Sequence, residues 1–150
     1  MSVGIHDHGK EYLQRVGFND LSPVSTISVG LYNDSTDSLT ESNDLSDITT
    51  EPSGASYARQ TASLSGDVSF SQDGNNDIVV DVADQTFDTS DSSQSVDSFF
   101  VVINFQASVV TSDGSATDHI FFTGNLGDTL NLSSWSEVTA RDIQEILQRP

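Results

Sequence analysis

Acidic residues dominate the charge of this chain. Aspartate and glutamate number 23 against 5 lysines and arginines, so the formal net charge is −18 over 150 residues. Carboxylates on a small domain repel one another over a screening length of about 10 Å near 0.1 M salt, which shrinks to about 3 Å at 1 M. A compact fold is expected to keep most of these groups outward, and we predict a halophilic protein that folds in concentrated salt. No basic stripe exists to neutralise phosphates, so nucleic acid is not an expected partner.

The apolar residues indicate a folded domain and not an acidic disordered tail. Disordered acidic tails are poor in aromatic and β-branched residues, whereas this chain has 8 Phe and 1 Trp among many Val and Ile. Because it has no cysteine, disulfides, thiolate nucleophiles and cysteine metal sites are excluded. The first residues lack a basic segment followed by an apolar run, and no stretch approaches the ~20 apolar residues of a membrane span. We therefore expect neither secretion nor a membrane partner.

The alternation of apolar and polar residues after Pro23 predicts strands. Ile27, Val29 and Leu31 alternate with smaller or polar residues, which is typical of a half-buried strand. Residues 99–105 are apolar on both alternating faces, so we expect this strand to lie centrally, covered on each side. The predicted strands after the first are residues 57–64, 68–71, 78–82, 99–110 (which contains this apolar run), 119–124 and 129–132. With turn clusters at residues 72–77, 88–97 and 112–118, this spacing predicts an all-β fold, an antiparallel β-sandwich or jelly roll.

Short helices are predicted at both ends of the chain. The first covers residues 8–16, with Asp7 as N-cap and Gly17 as the glycine that stops it. The second begins after Thr139 as N-cap, with Asp142 three residues later. Both are too short to be stable alone and must dock on a sheet or a neighbouring subunit. The predicted domains are an N-terminal helical arm at residues 1–24, a β-sandwich at residues 25–138 and a C-terminal helix at residues 139–150.

A long acidic connection, residues 33–56, separates the first two predicted strands. Such a loop is unusual in a compact domain and often carries contacts, and we expect Leu39, Leu45 and Ile48 to anchor it. Arg59 is interpreted as holding this loop through charge-assisted hydrogen bonds. The alternative is a contact between subunits.

Two residue groups could bind a cation. His6 and His8 lie two apart with Asp7 between them, a spacing that can hold a metal ion, but we interpret them as a solvated terminal tip and predict no metal site. Asp73, Asn75 and Asp77 resemble part of a calcium loop without its later bidentate glutamate. A hairpin turn is the preferred interpretation, and whether these three residues hold a cation stays open.

Catalytic patterns are lacking. Nucleophilic hydrolysis needs a serine activated by a histidine that an acid orients. No Gly-x-Ser-x-Gly elbow is present, and His119 lies at the start of a predicted strand beside aspartates. Carboxylate pairs are too frequent for any one to indicate a glycosidase, and no glycine-rich phosphate loop with lysine occurs. We expect no enzyme activity, no catalytic residues and no cofactor.

Three stretches resemble small structural proteins of tailed viruses. They are Ile-Ser-Val-Gly-Leu-Tyr-Asn-Asp (residues 27–34), Thr-Thr-Glu-Pro-Ser-Gly-Ala-Ser-Tyr-Ala-Arg-Gln (residues 49–60) and Ile-Phe-Phe-Thr-Gly-Asn-Leu-Gly-Asp-Thr-Leu (residues 120–130). In that family a first strand precedes an acidic loop, a Glu-Pro-Ser-Gly turn and a Tyr-Ala-Arg strand, and a Gly-Asp-Thr turn leads to a closing strand. The chain departs from the family at Ser56, where a glycine is usual.

The resemblance, with the halophilic charge, implies a virion component of a tailed virus of a haloarchaeon. The expected function is capsid decoration or a turret on the head, assembled in the host cytoplasm. The expected partners are other virion proteins, either the major capsid protein or tail proteins, and further copies in a homo-oligomer. The alternatives are a tail, baseplate or fibre protein and a surface carbohydrate-binding β-sandwich module.

Overall fold

The computed structural model describes residues 4–110 and 117–147. The helices are α1 (Asp7–Gly17) and α2 (Asp34–Asp37), and short 3-10 helices lie at Leu45–Asp47 and Leu132–Ser134. The strands are β1 (Thr26–Tyr32), β2 (Gln60–Ser63), β3 (Val68–Gln72), β4 (Ile78–Val82), β5 (Gln85–Asp88), β6 (Ser95–Asn104), β7 (Asp118–Asn131), β8 (Glu137–Ala140) and β9 (Ile143–Leu147).

The strands form antiparallel sheets, as the alternating sequence predicted. The main sheet has the order β2-β1-β6-β7, a three-stranded sheet has the order β3-β4-β9, and β5 pairs with β8. One apolar core lies between the main sheet and the other two, and side chains from all three sheets belong to it. The predicted all-β, antiparallel sandwich-like fold is confirmed.

Strand β6 is central and buried on both faces. Its side chains alternate between the core that the three sheets share, which contains Val101 and Ile103, and a second cluster that contains Phe100 and Val102. That second cluster is covered by the acidic loop, whose Leu39 is 3 % exposed. The prediction of a covered central strand is therefore confirmed for residues 99–103, whereas Asn104 is exposed and Phe105 lies beyond the end of the strand.

The acidic loop is a structured cover on the main sheet. Leu45 and Ile48 pack beside Leu39 on the second cluster, as predicted. Arg59 donates from Nε and Nη2 to the two carboxylate oxygens of Glu51, at 2.9 and 2.8 Å. This bidentate pair ties the end of the loop to the start of β2, so the intramolecular interpretation of Arg59 is confirmed.

The predicted C-terminal helix at residues 139–150 is wrong for the residues that the structure describes. Strand β8 buries Val138 and Ala140 against β5, and β9 pairs with β4 and buries Ile143. Asp142, between the two strands, has φ 53°, a left-handed conformation that a right-handed helix cannot pass through. The apolar residues that suggested one helical face belong instead to two strands in different sheets.

Several boundaries also differ from the prediction. Strand β2 omits residues 57–59 and 64 of the predicted strand. Strand β6 begins at Ser95, inside a predicted turn, and ends at Asn104, before the predicted end at residue 110. Strand β7 joins the two strands predicted at residues 119–124 and 129–132. The N-cap of α1 is His6, not Asp7, because the backbone of His6 is still paired with β7 and the helix can begin only after it.

Candidate functional site

The start of α1 is fastened to the edge of β7. His6 donates its backbone N–H to the carbonyl of Phe121 at 3.0 Å, and Thr123 donates to the carbonyl of Gly4 at 3.0 Å. The first turn then lies so close to the strand that a Cβ on Gly9 would stand 2.4 Å from the carbonyl oxygen of Phe121. This contact fixes the position of His8, which immediately precedes Gly9.

Three buried ionisable side chains from distant parts of the chain meet there. His8 comes from α1, Asp44 from the acidic loop and His119 from the start of β7, and they are 1 %, 0 % and 2 % exposed. Asp44 Oδ2 lies 2.5 Å from His119 Nδ1 and 3.3 Å from His8 Nδ1. We call these three residues the histidine–aspartate cluster.

Hydrogen bonds and ring packing hold the histidine–aspartate cluster in place. Asp44 Oδ1 accepts the backbone N–H of Ile120 at 2.7 Å, so the carboxylate is fastened to β7. The imidazoles of His8 and His119 stack with centroids 4.1 Å apart and planes inclined by 7°, and Phe105 packs edge-on against His119. A buried carboxylate is costly unless hydrogen-bonded or paired with positive charge, so this site favours hydrogen-bond donors or a cation beside Asp44.

His6 also lies inside the protein, so the interpretation of His6 and His8 as a solvated tip is wrong. His6 is fully buried, and its Nδ1 lies 2.9 Å from the carbonyl oxygen of Asn43. Burial lowers the pKa of His6, although Asn43 and the nearby carboxylates act against that shift. The sequence could not reveal this arrangement, because Asp44 and His119 are 75 residues apart and neither stands in a recognisable motif.

The Asp73 segment forms the predicted hairpin turn between β3 and β4. Asp73 Oδ1 accepts backbone N–H groups from Asn75 at 2.8 Å and Asp77 at 3.0 Å, and Asn76 has the positive φ of 65° that such turns require. The carboxylate oxygen of Asp73 is thus used by the turn itself.

A second carboxylate, that of Glu11, sits in a ring of donors that the sequence did not indicate. Its oxygens accept backbone N–H groups from Ser108, Val109 and Val110 at 2.7–3.1 Å and one bond from Arg15 at 3.1 Å. Burial alone raises a carboxyl pKa, but these donors outweigh it and lower the pKa of Glu11 to about 2. Glu11 therefore ties α1 to the segment that follows β6.

An apolar groove opens between α1 and the β3–β4 hairpin. Its volume is about 300 Å³, and it is lined by Tyr12, Leu13 and Val16 of the helix and by Phe70 and Val80 of the hairpin, with core residues at its floor. Phe70 is 69 % exposed. We call this opening the apolar groove, and its apolar lining contrasts with the acidic composition of the chain.

Comparisons of the chain with protein-family models, with curated proteins and with solved structures find no match. Among residues 4–110 and 117–147, no helix has the length and apolar character needed to cross a membrane.

Proposed function

We propose that this chain is a non-enzymatic structural protein of a tailed virus of a haloarchaeon, a decoration or turret component on the head. The observation that carries the proposal is the apolar groove, a water-exposed apolar surface on a chain with a net charge of −18. Exposed apolar surface of this kind marks contact sites on proteins that otherwise stay hydrated. The partner is a neighbouring virion protein, with the major capsid protein the first candidate.

The stretches that resemble virion proteins occupy one part of the fold. Residues 27–34 contain β1, residues 49–60 lead into β2, and residues 120–130 lie within β7. These three strands belong to the main sheet. The three stretches therefore meet in one sheet of the fold. This supports the proposal better than stretches spread over unconnected parts of the molecule would.

Electrostatics favours assembly in concentrated salt. Two surfaces that both carry excess carboxylates repel over about 10 Å near 0.1 M salt and over about 3 Å at 1 M, so contacts between this protein and an acidic neighbour become favourable only in brine. Burial of an apolar groove supplies the attraction, since the hydrophobic effect strengthens when salt is excluded from the surface.

Purified virus particles provide the test. Mass spectrometry of gradient-purified particles is expected to find this protein in many copies, and heads separated from tails are expected to retain it. Absence from particles would contradict the proposal, and recovery with tails alone would assign the protein to the tail.

Substitution in the apolar groove tests its part in docking. Phe70→Ser is expected to reduce incorporation of the protein into particles by about tenfold or more, because loss of a buried aromatic contact costs about 1.5–3 kcal/mol. Phe18→Ser is the matched control, since Phe18 is 88 % exposed and does not line the groove. Equal incorporation of both variants would show that docking uses another surface.

A further inference from the structure

We propose that His8, Asp44 and His119 bind a divalent transition-metal ion of the zinc class, which joins α1, the acidic loop and β7. One ligand atom from each residue lies within 4.8 Å of the other two, and all three residues are buried. Imidazole nitrogen and carboxylate oxygen together suit zinc, copper, nickel or iron. Calcium prefers oxygen ligands alone, so two imidazoles among three ligands disfavour it.

The spacing of the ligand atoms is close to that of a metal site. In tetrahedral zinc coordination, bonds of about 2.0–2.2 Å place neighbouring ligand atoms about 3.3–3.6 Å apart. His8 Nδ1 and Asp44 Oδ2 are separated by 3.3 Å. His119 Nδ1 is nearer to Oδ2, at 2.5 Å, so it must withdraw by about 0.8–1.1 Å to make room for the ion.

The stacked imidazoles must also open. A histidine nitrogen binds a metal through a lone pair in the plane of its ring, so one ion cannot be bound by two rings that lie parallel at 4.1 Å. Rotation of His8 about its side-chain bonds brings its lone pair toward that of His119. The metal-bound form is therefore expected to have more widely separated and inclined rings.

The supporting contacts suit a metal site. Asp44 Oδ1 is held by the backbone N–H of Ile120 at 2.7 Å, which orients the carboxylate as outer-shell hydrogen bonds do in metal sites. Three protein ligands leave a fourth position for a small ligand such as water. A divalent ion also places positive charge beside a buried carboxylate in a strongly acidic protein.

Metal binding is measured on the full chain, first treated with chelator, in molar KCl with excess Mg²⁺ to occupy weak sites among the surface carboxylates. Addition of Zn²⁺ is expected to give one bound ion per chain by dialysis and elemental analysis, and to raise Tm by about 5–10 °C at a hundredfold excess over Kd. Co²⁺ is expected to give the visible absorption of tetrahedral nitrogen and oxygen ligation. Failure of both ions to bind under these conditions would overturn the proposal.

Two variants and one control locate the ion. His8→Asn and His119→Asn keep an N–H near the position of Nδ1, which can still donate to Asp44, but remove the imidazole ligand. Each is expected to weaken Zn²⁺ binding by about 100-fold or more. His6→Asn is the control, because His6 is buried as deeply but faces the Asn43 carbonyl. The affinity of the His6→Asn variant for Zn²⁺ is expected to change less than threefold.

The outcomes are separable even if a variant is unstable. Circular dichroism of the metal-free proteins reports folding independently of metal, and the Co²⁺ spectrum of the unmodified chain reports nitrogen ligation without any substitution. Zn²⁺ binding that persists in folded His8→Asn and His119→Asn would place the ion among surface carboxylates and contradict the assignment.

Discussion

At the scale of single residues, two glycines make room for the rings of the central strand. Gly30 of β1 stands opposite Phe100, and Gly124 of β7 stands opposite Phe99. A Cβ on either glycine would lie 2.3 Å from the end of the opposing ring. Both rings are at most 1 % exposed, so they have little space to move. Each aromatic side chain therefore lies over the bare backbone of its cross-strand neighbour, one on each side of β6.

Gly30→Ala is expected to destabilise the protein by about 1–3 kcal/mol, because the added methyl forces the buried ring of Phe100 from its position. The change is measured as the difference in unfolding free energy from denaturant titration in molar salt. Gly66→Ala is the control, since no atom lies within 4 Å of a Cβ at Gly66, and its stability is expected to stay within about 0.5 kcal/mol. Equal effects of the two variants would show that the ring is not confined.

Residue chemistry was predictable where it depends on neighbours in sequence. The apolar run at residues 99–105, the Asp73 turn and the pairing of Arg59 with the acidic loop follow from local pattern and charge, and the structure has all three. The histidine–aspartate cluster was not predictable. It requires the register of β7, the path of the acidic loop and the docking of α1 together, and no local pattern encodes that combination.

At the scale of elements, α1 is an arm held by buried polar contacts at two places. Its N-terminal end is paired with β7 through backbone hydrogen bonds, and its middle is held by Glu11, which accepts from Ser108, Val109 and Val110. Eleven residues are too few for a helix that is stable alone. These tertiary contacts therefore determine whether the helix forms.

Acid is expected to loosen α1 through Glu11. Its pKa is about 2 in the folded protein against about 4.3 for an unperturbed glutamate. Because the folded pKa is the lower one, the stabilisation is present above about pH 4.3 and is lost as pH falls toward about 2. Glu11→Gln is expected to be less stable than the unmodified protein at pH 6 by about 1–3 kcal/mol, with the difference shrinking as pH falls through this window.

Thermal unfolding in molar salt between pH 2 and 6 measures this difference. Glu137→Gln is the control for removal of one negative charge, because Glu137 lies exposed on β8. The difference in stability between Glu11→Gln and the unmodified protein could instead stay constant across the pH range. That result would show that the donors around Glu11 do not preferentially stabilise its ionised carboxylate.

The C-terminal strands show why element type was harder to predict there than in the centre. The apolar residues between Val138 and Ile143 are spaced so that they could form one face of a helix. The same residues also fit the alternating pattern of two short strands. The choice depends on unpaired edges of β4 and β5, which are remote in sequence, and on the left-handed backbone of Asp142. Short apolar segments are ambiguous in this way because tertiary pairing outweighs local propensity.

At the scale of the whole molecule, carboxylates act both as structural acceptors and as surface charge. Asp97, for example, accepts backbone N–H groups from Asp34 and Ser35, and Asp37 accepts from Thr49 and Thr50. Many turns are thus built on aspartate, but these hydrogen bonds do not cancel its charge. With only 5 basic residues against 23 acidic ones, most of the repulsion must be screened by the solvent.

Dilution from 3 M to 0.1 M KCl is therefore expected to unfold or loosen the protein. Unscreened repulsion rises as the Debye length grows to about 10 Å, and it is relieved when the chain expands. Circular dichroism and tryptophan fluorescence through the dilution measure the midpoint salt concentration. Unchanged structure at 0.1 M would contradict the halophilic interpretation of the composition.

Two controls distinguish screening from general effects of salt on water. The double variant Glu137→Gln, Asp142→Asn removes two exposed charges. Asparagine is chosen at position 142 because it tolerates the positive φ of Asp142. The double variant is expected to lower the midpoint salt concentration. Sucrose strengthens apolar burial by exclusion but does not screen charge, so it is expected to restore little structure at 0.1 M KCl. Full recovery in sucrose would assign the salt requirement to burial of apolar surface, whereas a lower midpoint in the charge-reduced variant assigns it to repulsion among the carboxylates.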